Sequence, residues 1–238
     1  MAAPPSPAAP PAAPPAAPPA VAPLVGPHAH GGRLVVHDHP VLHHKLAVLR
    51  DPDTRPRDFR ARLSEIAALM TYTATRHLPV EEVELLTPLE RTRGRVLAAP
   101  VTVVPILRAG LAMADGVLMV FPEARVGHLG LARDERSLQP RAYLDRLPAD
   151  VGAGPVLLVD PMLATGGSAV AALHTLRAAG ARDVLLLCLV AAPEGVDRVL
   201  EADLDVSIHC AALDRQLDPR GYILPGLGDA GDRAFGTT

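Results

Sequence analysis

Tryptophan is absent from this chain, and aromatic residues together make up only 3% of it. With 49% hydrophobic residues, a sizeable core is available, but Ala, Val and Leu must fill it. Cysteine is nearly absent: Cys188 and Cys210 are the only two, and they form no short C-x-x-C pair. That argues against a zinc site and a disulfide framework, and it fits a reducing, cytoplasmic setting. Cys188 lies inside an apolar run and is expected in the core. No apolar run is long enough to span a bilayer. The N-terminal stretch lacks the basic start and continuous apolar core of a signal peptide. Charge of one sign is not in excess either. A formal net charge of -3 does not suggest a nucleic-acid or membrane binder. No Gly-Lys-Ser/Thr follows a glycine loop and no G-x-G-x-x-G occurs, so neither a Walker A motif nor a dinucleotide fold has support.

What is present is enough chain, 238 residues, for one α/β domain plus extras. Residues 1–27 are almost entirely Pro and Ala. Such a segment cannot bury enough side chain to offset its ordering entropy, so a solvated tail is expected. The boundary is set so that residues 1–31 are tail and residues 32–238 are domain. His28, His30, His37, His39, His43 and His44 cluster where the two meet. Their spacing matches no helical histidine pair backed by a catalytic Glu, and Pro40 interrupts the run, so no metal role is assigned.

Periodicity predicts a helix over residues 40–50 and another over 57–76, with Phe59, Leu63, Ile66, Ala67, Leu69 and Met70 on one face. Residues 79–97 alternate around a Thr87-Pro88 break and read as a β-hairpin or arm. Residues 101–106 read as a buried strand ending in Leu107-Arg108-Ala109-Gly110, with a helix to about Val120. Residues 125–131 read as one strand. The polar stretch 133–147 is either a mobile lid or a solvated connection. Further strands are expected over 156–159, 184–190 and 206–211, and helices over 169–179, stopped by Gly180, and from Pro193 to Leu200.

Chemistry concentrates where strand 156–159 ends. Asp160 stands at its carboxyl end, and Thr165-Gly166-Gly167-Ser168 opens the next helix. Ligands bind at the carboxyl ends of strands in open α/β sheets, and a helix start attracts phosphate. Glycines let the backbone approach an anion while Thr165 and Ser168 add donors. A phosphate on the turn and a diol on the acid together describe a ribose 5-phosphate. An ordinary strand–turn–helix junction with a capping Asp would show the same pattern. Arg108 repeats the arrangement with a bidentate donor for phosphate or carboxylate. Residues 221–232 are dense in glycine yet interleaved with Tyr222, Ile223, Leu224 and Leu227, as if backbone groups were brought close to a small planar ligand.

These stretches together resemble the type I phosphoribosyltransferases and, within them, the uracil enzymes. The loop from Val159 to Ser168 is similar to that family's phosphoribosyl pyrophosphate (PRPP) loop. Matching stretches run from Val104 to Leu111, from Val190 to Gly195 and from Gly221 to Arg233. The resemblance covers about Leu34 to Thr238, leaving the tail out. Many superfamily members carry two adjacent acids in the loop. The Asp160-Pro161 pair here is the variant the uracil enzymes share.

The resemblance implies an α/β fold, a type I phosphoribosyltransferase-like parallel sheet flanked by helices, with a β-arm and a C-terminal base-binding hood. It implies formation of UMP and diphosphate from uracil and PRPP in pyrimidine salvage. By position, PRPP falls to Arg108, Arg133, Asp160, Pro161, Met162, Leu163, Ala164, Thr165, Gly166, Gly167, Ser168 and Asp229. Uracil falls to Ile223, Gly228, Asp229 and Ala230, and the catalytic roles to Asp229 and Arg108. Magnesium is implied as cofactor, carried mainly by PRPP with no metal site of the protein's own. The resemblance also brings GTP as a possible effector and a homodimer or higher homo-oligomer, with no nucleic-acid or membrane partner. The competing readings are a phosphoribosyltransferase for another base and a non-catalytic regulator on the same fold that binds UMP or RNA.

Overall fold

The computed structural model describes residues 33–133, 140–202 and 204–237. A short strand, β1 (Leu34–Val36), leads into two helices, α1 (Pro40–Arg50) and α2 (Pro56–Ala74). An antiparallel pair follows, β2 (Val80–Leu86) and β3 (Arg91–Leu97). Strand β4 (Thr102–Leu107) feeds α3 (Leu111–Val120), and after it come β5 (Arg125–Val126), β6 (His128–Arg133) and β7 (Pro140–Arg146). Strand β8 (Val156–Val159) passes through the short β9 (Met162–Leu163) into α4 (Gly167–Ala178). Strand β10 (Val184–Ala191) leads to α5 (Pro193–Glu201) and β11 (Val206–Leu213). The last segment holds β12 (Gln216–Leu217), β13 (Ile223–Leu224) and α6 (Ala230–Phe235).

Helices α1, α2 and α5 each begin with a proline, which needs no hydrogen-bond acceptor at a helix start and is preset to helical φ. His39 adds a side-chain cap to α1, its Nδ1 accepting from the Val41 N–H at 3.1 Å. The main sheet runs β1-β11-β10-β8-β4-β6-β7, with β5 on β4 and β9 on β10. Every pairing in it is parallel except β6 with β7. Strands β8 and β10 are buried throughout, which is why they read as unbroken apolar runs rather than alternating ones.

Successive residues of these strands still serve opposite faces. Val103, Leu157 and Leu185 pack with α1, α2 and α3 on one side. Val104, Leu158 and Leu186 pack with α4 and α5 on the other. Small residues replace bulky aromatics in tightening the layers. A Cβ on Gly116 of α3 would lie 2.1 Å from the Ser64 carbonyl oxygen of α2, so these helices meet backbone to backbone.

The structure corrects several sequence expectations. The strand expected over 125–131 is two strands, both on β4. Pro105 of β4 has no N–H to offer, and the ladder is interrupted opposite it. The polar stretch 133–147 is not an unstructured connection where it is described: Pro140–Arg146 is an edge strand antiparallel to β6. Charged side chains suit a sheet edge, which explains the polar composition. Residues 134–139 of the expected lid lie outside the described residues, as do the tail and His28 and His30. Leu69 is 40% exposed rather than part of the buried stripe of α2. Strands β1, β9, β12 and β13 and helix α6 were not anticipated. The arm, by contrast, is present as the β2–β3 hairpin.

Candidate active site

Three stretches meet at the carboxyl ends of β4, β8 and β11. The first is the loop after β8. Its backbone is stapled to β10: the Asp160 N–H donates to the Leu187 carbonyl at 3.1 Å, and the Pro161 carbonyl accepts from the N–H groups of Leu189 and Val190. The Ala192 N–H closes on the Leu163 carbonyl at 2.9 Å. Gly166 then turns the chain with a φ of 75°, a left-handed conformation costly for other residues, and its carbonyl accepts from Val170 to start α4. No side chain caps this helix at Gly166. Its first turn, whose initial N–H groups have no partner within the helix, lines a concavity of about 80 Å³ together with Asp160, residues 162–166, Leu186 and Cys188.

Asp160 accepts from the Met162 N–H at 3.4 Å across its own loop. Burial raises its carboxyl pKa from an ordinary 3.8 to about 7, and that N–H bond opposes the shift only weakly. The acid is therefore poised to gain charge when donors such as ribose hydroxyls arrive.

The second stretch is the turn between β4 and α3, which includes a cis peptide at Leu107–Arg108. A Cβ on Gly110 would lie 2.4 Å from the Val159 carbonyl oxygen, so this turn lies against the end of β8. The Arg108 guanidinium is more than half exposed and donates from Nη2 to Asp232 Oδ1 at 3.2 Å.

The third stretch is residues 214–235, which form the hood. It touches both other loops. A Cβ on Gly221 would stand 3.4 Å from Thr165 Cγ2, and one on Gly231 would stand 3.9 Å from the Ala109 Cβ. Ile223 and Ala230 are buried, while Gly228 and Asp229 are exposed. Asp229 is the N-cap of α6, its Oδ1 accepting from the Asp232 N–H at 2.9 Å.

Arg108, Asp160 to Ser168, Ile223 and Gly228 to Ala230 thus lie on the three stretches that meet here. The backbone of Arg133 ends β6, while its side chain lies outside what is described. The histidine cluster disperses. His37 Nε2 hydrogen-bonds His209 Nδ1 at 3.1 Å, His39 caps α1, and His43 lies 3.4 Å from Asp38. Burial lowers the pKa of both His37 and His209, the latter to about 4. Among the described residues, no group of three or more His, Cys, Asp or Glu is placed to hold a metal.

The family model for uracil phosphoribosyltransferase matches residues 35–237. The chain belongs to the uracil phosphoribosyltransferase family. A curated uracil phosphoribosyltransferase of Symbiobacterium thermophilum is 55% identical over 206 residues, 86% of this chain and 99% of that protein. One from Dictyoglomus thermophilum is 52% identical over 205 residues, again 86% of this chain and 99% of its own. A solved structure of an Aquifex aeolicus protein superimposes with a TM-score of 0.82 at 37% identity, covering 86% of this chain and 99% of that one.

Sequence reasoning about this family member missed the residues that organise the site from outside it. Asp232 is the partner of Arg108. Asp214, Arg50 and Arg233 tie the hood to α1. One signal was available: Asp214 is an acid at the carboxyl end of an apolar strand, the same pattern that exposed Asp160.

Proposed function

We propose that this chain catalyses transfer of the phosphoribosyl group of PRPP to N1 of uracil, releasing diphosphate and UMP. The observation that carries this reading is the convergence of an anion cup, an arginine and a glycine-rich hood at one end of one sheet. Thr165 to Ser168 and the α4 start receive the 5-phosphate, and Asp160 receives the ribose hydroxyls. Arg108, freed from Asp232, takes the diphosphate, with Arg133 as a second cation for it. The hood backbone from Ile223 to Ala230 reads the O2, N3–H and O4 edge of uracil. Cytosine would leave buried groups unpaired there, which can cost several orders of magnitude in specificity.

Cleavage at C1 of the ribose develops positive character on the sugar and negative charge on diphosphate. Arg108 and Arg133 stabilise the leaving group, and the hood aligns N1 of uracil with C1. Magnesium fits the available donors. A hard cation of this kind prefers substrate phosphates plus one or two carboxylates. Asp229 is exposed with Oδ1 committed to its cap, so one carboxylate oxygen is left to face a metal–PRPP complex. When bound, the metal adds charge stabilisation on the diphosphate.

Incubating the protein with PRPP, magnesium and uracil and measuring UMP tests the reading. Turnover with a different base in a panel of free bases, and none with uracil, would support the first rival. Binding of UMP or RNA without turnover would support the regulator. Assays with and without GTP decide its place as effector.

A homodimer joined through the β2–β3 arm also belongs to this proposal, because Leu86 and Leu89 are 73% and 95% exposed on it. Sedimentation of Leu86→Glu/Leu89→Glu should show monomer where the parent sediments as a dimer. A cytoplasmic setting completes it. No helix among the described residues is long and apolar enough to cross a membrane.

A further inference from the structure

Asp214 follows β11, and its N–H donates to the Ala191 carbonyl at 2.8 Å, so its backbone prolongs the β10–β11 ladder. Its side chain turns toward α1 and is only 7% exposed. Both carboxylate oxygens are occupied. Oδ1 accepts from Arg50 Nη2 at 2.7 Å, and Oδ2 accepts from Arg50 Nη1 at 2.9 Å. Oδ2 also accepts from the Gly226 N–H at 2.9 Å, while Arg50 Nη1 donates to the Gly226 carbonyl at 3.0 Å. One bidentate ion pair therefore holds a single hood residue by both its backbone groups.

Gly226 is where such a grip matters. It has a φ of 62°, and a Cβ there would lie 2.2 Å from the Ile223 carbonyl oxygen, so the turn folds tightly back on Ile223. Leu227, Gly228, Asp229 and Ala230 follow. A second tie holds Leu227. Arg233 donates from Nη1 to the Leu227 carbonyl at 2.8 Å and to the Leu49 carbonyl at 2.6 Å. Its Nη2 reaches the Asp51 carbonyl, and its guanidinium lies 4.4 Å from the centre of the Phe59 ring. The base-reading segment is thus tied at Gly226 and Leu227 to the last turn of α1 and the residue that caps it.

We propose that Arg50 and Asp214 are positioning residues for the pyrimidine, fixing through Gly226 the spacing between Ile223 and Gly228–Ala230 that a planar base edge requires. The inference rests on the reading of those hood residues as the uracil contacts. A buried ion pair is a poor device for stability alone, since well-packed apolar residues often do as well. Its contribution here is directional, setting where two backbone groups stand. Asp214 has its oxygens committed to Arg50 and Gly226, so it acts through the turn and is not itself a ligand.

The test uses full-length Asp214→Asn, Arg50→Lys and the paired Arg50→Met/Asp214→Leu, with each substrate varied at saturation of the other. In the paired variant no charge is left buried alone, so it is expected to stay folded with a melting temperature near that of the parent. The uracil KM should rise by roughly tenfold or more while the PRPP KM stays within about twofold. Arg50→Lys, which keeps the charge but not the fork, should fall between parent and paired variant. A folded paired variant with the parent's uracil KM, or with both KM values raised alike, overturns the proposal. Amide hydrogen exchange of the parent with and without UMP separates the two levels of the argument. Protection of residues 221–231 by UMP together with an unchanged uracil KM in the variants refutes the clamp alone. Absence of that protection refutes the hood assignment and the clamp with it.

Discussion

Asp160 is a residue whose chemistry departs far from that of a free aspartate. An aspartate in water titrates near 3.8, and this one is raised by burial to about 7. The folded protein thus binds a proton that the unfolded chain has already lost between those values. Asp160 contributes stability that is full below pH 3.8 and is lost as pH rises through about 7. Asparagine mimics the neutral form. The melting temperature of ligand-free Asp160→Asn should therefore gain on the parent as pH goes from 5 to 8, while PRPP binding weakens for want of the carboxylate. A gap between the two proteins that is constant with pH would contradict the raised pKa. Asp229 shows the opposite case, in which local structure and chemistry compete for one side chain. Its Oδ1 caps α6, a task asparagine performs about as well. Asp229→Asn should keep the parent's melting temperature yet turn over roughly a hundredfold more slowly, because a charge-assisted contact to metal–PRPP is lost. Parent-like turnover in the folded variant would leave Asp229 a cap and nothing more. Both residues were visible in the sequence, Asp160 as an acid at the end of an apolar strand and Asp229 as an acid among glycines. Their states were not, because a pKa and a cap depend on neighbours that only the fold supplies.

At the scale of elements, what was legible followed from burial. Strands β8 and β10 and helices α1, α3 and α5 announce themselves by apolar runs, periodicity and initial prolines. The elements that escaped are short or polar. Strand β9 exists only because it pairs with β10, β12 only because it pairs with β13, and β7 carries charges suited to an edge. Helix α6 begins at a cap that was read as a ligand residue. The junction of β8 with α4 was legible as a strand, a loop and a helix, though not the β9 within it, and it depends on one conformation. Gly166→Ala would force a side chain into left-handed backbone and place its Cβ 2.8 Å from the Gly195 carbonyl oxygen. The strain costs about 1–2 kcal/mol before any repacking. Because the α4 start would shift to relieve it, the PRPP KM should rise more than tenfold by the loss of oriented N–H donors, with the uracil KM changing less. Kinetics for both substrates, beside a melting curve, check this. Equal effects on the two substrates would mean that the turn matters to the fold and not to phosphate.

For the whole molecule, the question is where the enzyme begins. The family match starts at residue 35, and relatives covered over 99% of their own length account for 86% of this chain. Residues 1–31 lie before the family match, and the Pro/Ala composition of residues 1–27 offers no core-forming pattern. The described fold takes hold close by. The Arg33 carbonyl accepts from the Ile208 N–H at 2.7 Å, and Leu34 pairs with Ile208 on β11. His37 then bonds His209 inside the fold. Removal of residues 1–27 should leave kcat and both KM values within about twofold and the melting temperature unchanged, since the β1–β11 pairing begins at Leu34. Removal through Val36 is a different experiment. It strips β1 from β11, uncovers that strand's edge and should lower the melting temperature by several degrees, on the order of 1–3 kcal/mol of lost pairing and burial. If the shorter deletion already reduces turnover several-fold in a protein that melts like the parent, the tail acts on catalysis and the boundary at residue 31 is misplaced. If the two deletions behave alike, β1 contributes nothing to the sheet it borders.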